Sequence, residues 1–253
     1  MIFGGFIFNF TQEVEMLAVI DHRMPRAAVA ALEKICETVK LPPFSALDRR
    51  VASHPDMLIF GLDGKLFVCK DYYDEAKEQI DFIASRSELE IVLTSDTLSD
   101  VYPHDVAFNS FVVCDTLFGN AKYISQEIKD EAKATGVKLR SVNQGYAKCS
   151  TVVLKNAVIS ADKGICDAAE SLGADALLIS AGGVALDGYD CGFIGGASGV
   201  CDNKVFFCGN VTKHSDFNVI YNFCKSHGYD VVSLSDEPLY DVGTILFFNA
   251  PDK

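Results

Sequence analysis

A unit of about 46 residues recurs along this chain, and it constrains the fold more than any other feature of the sequence. Each copy runs from a short motif containing Asp or Cys into an apolar strand, a turn, a second apolar strand, an amphipathic helix and a third strand. The first opens at His54, Pro55 and Asp56, with strands expected at 57–60 and 65–69, a helix at 74–84 and a closing strand at 89–94. The second opens at Pro103, His104 and Asp105, with strand material at 106–114, a helix at 125–135 and a strand at 137–142. The third opens on the run from Gly145 to Cys149, with strands at 150–154 and 157–160, a helix at 163–172 and a strand at 176–180. The fourth opens at Tyr189, Asp190 and Cys191, with strands at 193–194 and 204–208, a helix at 216–226 and a strand at 230–234. A fifth begins at Leu239, Tyr240 and Asp241, has a strand at 244–248 and stops.

What the fifth copy lacks stands at the other end of the chain. A strand is expected at 16–20, a helix at 26–36 begun by Pro25 in its first turn, and a strand at 37–41. Pairing of the N- and C-terminal strands would close the repeat and remove its exposed edges. The expected fold class is therefore α/β, a five-unit pseudo-symmetric ββαβ propeller whose ring is closed by the N- and C-terminal strands. A doubly wound α/β sheet also alternates strands and helices, but needs only one strand before each helix. No Gly/Ser-rich or like-charged run divides the sequence, so residues 1–253 read as a single domain. The apolar segment 1–10 is either a first strand or part of an extension, 1–15, ahead of a true start at Met16; it lacks the basic region and cleavage site of a signal peptide.

Lys and Arg number 22 against 35 Asp and Glu, a net charge of −13. Such a surface is a poor counterion for phosphates, which argues against nucleic acid and anionic membranes as partners. No run approaches the roughly 18 uninterrupted apolar residues of a membrane helix. The nine cysteines are odd in number and contain no CxxC pair, so neither a zinc ribbon nor a disulfide framework is expected. Most lie in apolar runs, where a reduced Cys behaves as a small hydrophobe, and a cytoplasmic location suits them. No cluster has metal-ligand spacing, and Gly192, Gly195, Gly196 and Gly199 fit neither a Walker loop nor Gly-x-Gly-x-x-Gly, so no metal and no cofactor are expected. That glycine run reads as permission for close backbone approach. His214 and Asp216 read as a helix start capped by Ser215 or Asp216, and His22 and Arg23 as an exposed loop.

A closed ring of five ββαβ units is the pentein fold, and the sequence is similar to an uncharacterised bacterial family of that fold. The segments that carry the resemblance are Val142 to Ser150 (VNQGYAKCS), Gly192 to Gly199 (GFIGGASG), His54-Pro55-Asp56 and Asp241-Val242-Gly243-Thr244. Likeness to arginine deiminase and dimethylarginine dimethylaminohydrolase is thinner. His54, Asp56 and Asp63 resemble the catalytic His-x-Asp pattern of the former. Gly145 to Thr151, two units later, resembles its nucleophile motif. In those enzymes the nucleophile lies in the last unit, whereas Cys149 lies mid-chain, which implies a circular permutation. Lys148 stands where a His often precedes the nucleophile.

The resemblance implies guanidine chemistry on a small, cationic guanidino or amidino compound. Cys149 would be the nucleophile, His54 the general acid and base, and Asp241 a further carboxylate of the catalytic set. Asp56 would clamp the planar cation, since carboxylate and guanidinium match bidentately. Asp105 and Asp190, which recur at unit starts, together with Lys148 and Phe193, complete the candidate substrate-binding set; Asp at a turn also closes it by bonding backbone N–H groups. His104 is an alternative acid/base to His54. The sequence leaves open a hydrolase, an amidinotransferase, or a non-catalytic pentein that binds a small molecule or a protein.

Overall fold

The computed structural model describes residues 16–249; the expectations for 1–15 lie outside them. Two-residue turns explain the local architecture. Asp63 and Gly64, both at positive φ, link Ile59–Leu62 to Lys65–Cys69 as an antiparallel hairpin. Cys114 and Asp115 do the same between Phe111–Val113 and Thr116–Gly119. Left-handed backbone at both turn positions matches the twist of the flanking strands, and Asp-Gly is the favoured sequence for it.

Each hairpin is extended by a third strand that pairs parallel to the second after a helical crossover. Glu90–Thr94 joins the first hairpin and Lys138–Ser141 the second. Thr151–Val153, Ala157–Ser160 and Asp175–Leu178 form a third such sheet, and Ser198–Cys201, Lys204–Phe207 and Asp230–Ser233 a fourth. A fifth is built from both ends of the chain. Leu246–Asn249 pairs antiparallel with Met16–Asp21, placing Met16 opposite Asn249, and Met16–Asp21 pairs parallel with Glu37–Leu41. The result is a mixed α/β fold of small sheets with seven α-helices among the described residues.

Neighbouring sheets touch in sequence order. Helix Lys77–Arg86 packs on Glu37–Leu41, helix Gln126–Ala134 on Ile59–Leu62, and Phe111–Val113 on Thr151–Val153; Ser198–Cys201 touches both Thr151–Val153 and Leu246–Asn249. Leu17, Val19, Phe67, Phe108 and Phe118 are buried between these layers.

Several elements differ from the sequence expectation. Met57 and Leu58 lie in a helical turn, Pro55–Leu58, because Pro55 has its φ preset for a first helical position. Within 106–114 only Phe111–Val113 is strand. Phe193 and Ile194 are not strand; Ser198–Cys201 is. A two-stranded parallel pair, Val184–Ala185 with Leu239–Tyr240, was not foreseen.

Candidate active site

The loops that open the repeated units converge. Pro55 starts the helical turn whose N-cap residue is His54, and the backbone N–H of Asp56 donates to the Gly243 carbonyl at 3.1 Å. That contact ties the His54 segment to the loop after Asp241. A side chain at Gly243, which has φ +65, would collide with His54. Cys149 sits in the turn before Thr151–Val153 and is held by Asn109. The Asn109 Oδ1 accepts from the backbone N–H of Lys148 at 2.8 Å and of Cys149 at 3.2 Å, while its Nδ2 donates to Cys149 Sγ at 3.1 Å.

Donor atoms of His54, Asp56 and Cys149 all lie within 4.8 Å of one another, and all three residues are buried. The Cys149 thiol donates to Asp56 Oδ2 at 3.0 Å, and Thr244 Oγ1 donates to the same oxygen at 2.6 Å. Thr244 has φ +70, uncommon for a β-branched residue, and the strain is held where its hydroxyl meets this carboxylate. Asp56 Oδ1 is buried without a hydrogen-bond partner. His54 lies between two carboxylates: Nε2 is 3.7 Å from Asp21 Oδ2 and Nδ1 is 4.0 Å from Asp241 Oδ1. Asp21 is braced by Arg23 and by the Ser53 hydroxyl at 2.7 Å.

The electrostatics favour a neutral thiol. Burial pushes the Cys149 thiol well above its ordinary range, and the charges of Asp56 and Asp241 push the same way; the Asn109 donor opposes them. Burial also raises the Asp241 carboxyl against the pull of His54, and both its oxygens accept backbone N–H groups, from Phe193 at 2.8 Å and Gly243 at 2.9 Å. The Lys148 ammonium is pushed down by burial, and Asp56, Cys149 and Asp241 offset part of that. For Asp21, burial alone would raise the carboxyl, but the Arg23 hydrogen bonds, His54 and Ser53 together hold it below its usual value.

These groups meet a pocket of about 170 Å³. His54, Cys149 and Asp241 line it on one side, and Tyr146, Tyr189 and Phe193 form much of its apolar wall. Tyr146 and Phe193 stack with centroids 6.2 Å apart, and the Arg50 guanidinium lies 4.3 Å over the Tyr189 ring. A planar cation of a few heavy atoms suits this volume and these aromatic faces. His54, Asp56 and Cys149 also offer one nitrogen, one oxygen and one sulfur donor, a set that would suit a divalent transition metal if it displaced the thiol proton.

The structure thus brings Cys149, His54, Asp56, Asp241 and Phe193 together. Of these, Asp56 does not line the pocket but meets it through the Cys149 thiol, and the remaining candidates are not brought to the pocket. Lys148 lines a different cavity, with Asp56, Phe108 and Phe247, and its ammonium donates to the Thr151 carbonyl and to Thr244 Oγ1, both at 3.3 Å. Lys148 and Cys149 occupy one turn, and Lys148 lines the one cavity while Cys149 lines the other. Asp105 is buried one step behind the wall, accepting the Tyr146 hydroxyl at 2.6 Å, with its carboxyl raised chiefly by burial. Asp190 and His104 are exposed. The glycine run does allow close approach: a Cβ at Gly192 or Gly196 would overlap Asp241, and one at Gly195 the backbone of Lys148 and Thr151. Asp216 is the N-cap residue of helix Phe217–Ser226 but makes no capping bond, because its carboxylate accepts from Ser180 N instead. Arg23 and His22 are exposed, as expected, while Arg23 pairs with Asp21 and His22 Nδ1 lies 2.9 Å from Ser53 Oγ.

Sequence reasoning missed Asn109, Asp21 and the roles of Thr244 and Tyr146. Asn109 and Ser110 interrupt an apolar run from Val106 to Val113, and a buried polar pair in such a run is a signal in itself. The resemblance to penteins stated from the sequence agrees with the solved structures. The fold is similar to a mutant dimethylarginine dimethylaminohydrolase from Pseudomonas aeruginosa complexed with citrulline, with TM-score 0.55 and 11% identity over 87% of this chain and 91% of that one. It is also similar to an amidinotransferase from Microseira wollei in the saxitoxin biosynthetic pathway, with TM-score 0.51 and 10% identity over 85% and 76% of the two chains. A third is the C. jejuni agmatine deiminase, with TM-score 0.50 and 7% identity over 87% and 86%. No curated protein matches the chain at a significant level. A family profile described as "Family of unknown function (DUF6873)" matches residues 19–246. The fold is that of the pentein superfamily, and the chain belongs to the family that this profile describes.

Proposed function

We propose that this protein is a guanidine-modifying enzyme of the pentein type, acting on a small guanidino or amidino compound through Cys149. The observation that carries the reading is the meeting of Cys149, His54 and Asp56 within 4.8 Å beside an aromatic-walled pocket. The names of the similar structures, a dimethylarginine dimethylaminohydrolase, an amidinotransferase and an agmatine deiminase, support the substrate class. The five three-stranded sheets, their contacts in chain order and the pairing of Met16–Asp21 with Leu246–Asn249 support a five-bladed ring closed by the chain ends. In that reading residues 1–253 are one domain with a pore-like site at its centre.

In this scheme the resting thiol is neutral. A bound guanidinium offsets Asp56 and Asp241, so the thiol proton passes to a neighbouring base more easily and the thiolate forms next to its electrophile. The sulfur adds to the guanidinium carbon, a C–N bond breaks, and His54 gives the leaving amine its proton. Water then attacks the amidino thioether with His54 taking a proton, the C–S bond breaks and the thiol returns. Transfer to an acceptor amine in place of water would make the same site an amidinotransferase. Asp241 serves as the carboxylate facing the cation, Asp56 adds its charge from behind the Cys149 thiol, and Phe193 is a wall on which the cation's plane rests. The reaction needs no metal or cofactor, and the acidic surface favours neither nucleic acid nor anionic membranes. No described helix is long and apolar enough to cross a membrane, and the largely buried cysteines suit a reducing cytoplasm.

A non-catalytic binding role is favoured by one observation: Cys149 is buried and its thiol donates to the Asp56 carboxylate, a setting that disfavours the thiolate. Incubation with guanidino and amidino compounds, followed by assays for ureido product, urea and ammonia, separates the two. Turnover that is lost in Cys149→Ser and His54→Ala supports the enzyme. Saturable binding without turnover across the panel supports the binding protein.

A further inference from the structure

A second pocket of about 170 Å³ lies on the other side of the Cys191–Phe193 segment, which lines both. Its lining includes Ser150, Asp162, Gly182 and His214, but not Cys149 or His54. Two buried side chains there have no hydrogen-bond partner: His214, 3% exposed, at Nε2, and Ser150, 4% exposed, at Oγ.

The chemistry of His214 is fixed by its own turn. The backbone N–H of Asp216 donates to His214 Nδ1 at 3.0 Å. Nδ1 is therefore the acceptor nitrogen, and the neutral imidazole carries its proton on Nε2. The pocket thus holds an unspent N–H donor and an unspent hydroxyl. Asp162 Oδ1 accepts from Ile165 N at 3.1 Å and Oδ2 from Gln144 Nε2 at 3.2 Å. Gly182 and Gly183 are both at positive φ, and a Cβ at Gly183 would meet the Cδ2 and Nε2 edge of the imidazole. A short glycine pair permits the small backbone movement that a ligand oxygen would need to reach Nε2.

We infer that this pocket is a second binding site, for a small uncharged carboxamide whose carbonyl oxygen accepts from His214 Nε2 and Ser150 Oγ. An uncharged group is favoured over a carboxylate because Asp162 lines the pocket and Asp216 adjoins His214. Asp162 also retains acceptor capacity for the amide N–H. The site does not depend on the guanidine chemistry of Cys149.

Titration of the uniformly 15N-labelled full chain with acetamide tests this, read from the backbone amide signals of Gly182, Gly183 and Ser150. Saturable shifts are expected, weakened at least tenfold in His214→Asn. That variant keeps an acceptor for the Asp216 N–H but lacks the distal donor. Ser150→Ala should weaken binding too, Cys149→Ser should not, and acetate should bind more weakly than acetamide. Absence of saturable shifts, or unchanged affinity in both His214→Asn and Ser150→Ala, overturns the site. Tighter binding of acetate overturns the assignment of an uncharged ligand. Loss of binding in Cys149→Ser overturns its independence from the first pocket.

Discussion

Asn109 and Cys149 are bound at two points, and Lys148 adds a third: one Asn109 side chain accepts from the backbone N–H groups of Lys148 and Cys149 through its Oδ1 and reaches the Cys149 sulfur through its Nδ2. Asn109 is 1% exposed, and its Nδ2 also lies 3.3 Å from the Asp56 carbonyl. It therefore joins the two segments that supply the nucleophile and the carboxylate. It acts as a positioning residue and supplies the one donor that opposes the rise in the thiol pKa.

Replacing Asn109 separates these roles. In Asn109→Leu the Lys148 and Cys149 N–H groups lose their acceptor in a buried setting, which should cost about 2–3 kcal/mol in urea denaturation. Asn109→Asp keeps an acceptor but exchanges the donor for a third carboxylate facing sulfur. Iodoacetamide labelling of Cys149, followed by peptide mass spectrometry, should slow by roughly tenfold or more, as for a thiol that ionises about one pH unit higher. Labelling at the unmodified rate would remove Asn109 from the electrostatics of the site.

Asp56→Asn should act in the opposite direction. It removes the negative charge nearest Cys149 Sγ and allows an amide to donate to the thiolate. The thiol pKa falls, so at about pH 7–8 the thiolate fraction and the labelling rate both rise, by roughly tenfold if the thiol ionises about one pH unit lower. Turnover of a guanidino compound should fall in the same variant, because the cation loses its partner. A pH–rate profile for labelling that does not move would show that burial alone keeps the thiol neutral.

Much of this arrangement was legible in the sequence, for physical reasons that differ by element. Two-residue turns such as Asp63-Gly64 and the apolar runs beside them fix the hairpins, and Glu37–Leu41 falls where the pattern put it. Cys149, His54, Asp56 and Asp241 stood out through their place at unit starts and their resemblance to a known motif. Asp105 shares that place yet lies behind the Tyr146 hydroxyl, and Asp190 shares it yet is exposed. Position in a repeat places the backbone and leaves side-chain direction to packing. Asn109 and Asp21 act through contacts 40 and 32 residues away along the chain, and no local pattern encodes those.

Asp21 predicts the acid limb of stability. Its carboxyl is held below the usual value in the folded protein, because the Arg23 hydrogen bonds, His54 and the Ser53 hydrogen bond together outweigh burial. The stability it contributes is therefore fully present above the unfolded value of roughly 3.9 and is lost as pH falls through the lower folded value. Asp21→Asn should cost about 2–4 kcal/mol near pH 7, as expected for breaking a largely buried ion pair. The gap between variant and wild type should close as pH falls below the ordinary carboxylate range and Asp21 itself protonates. A gap of constant size across an acid titration, followed by circular dichroism, would mean that the carboxylate charge does not matter.

Gly196 offers a test of how firmly the glycine run supports the site. Its N–H donates to the Cys149 carbonyl at 2.7 Å and its carbonyl accepts from Val242 N at 3.0 Å and Thr244 N at 2.9 Å, so it is bonded to both halves of the site at once. A Cβ there would overlap the Asp241 carboxylate, which is itself pinned by Phe193 N and Gly243 N. Asp241 cannot turn away without orphaning those two donors. Gly196→Ala should therefore destabilise the fold by about 2–4 kcal/mol, more than an ordinary loop substitution. It should also displace Asp241 from His54, so that any guanidino turnover falls by roughly a hundredfold or more even in the fraction that remains folded. Gly136→Ala, at a positive-φ position with open space around it, should cost only the roughly 1–2 kcal/mol of backbone strain and leave the site intact. Equal effects of the two substitutions, in stability and in turnover, would mean that contact with Asp241 adds nothing to the requirement for glycine at 196.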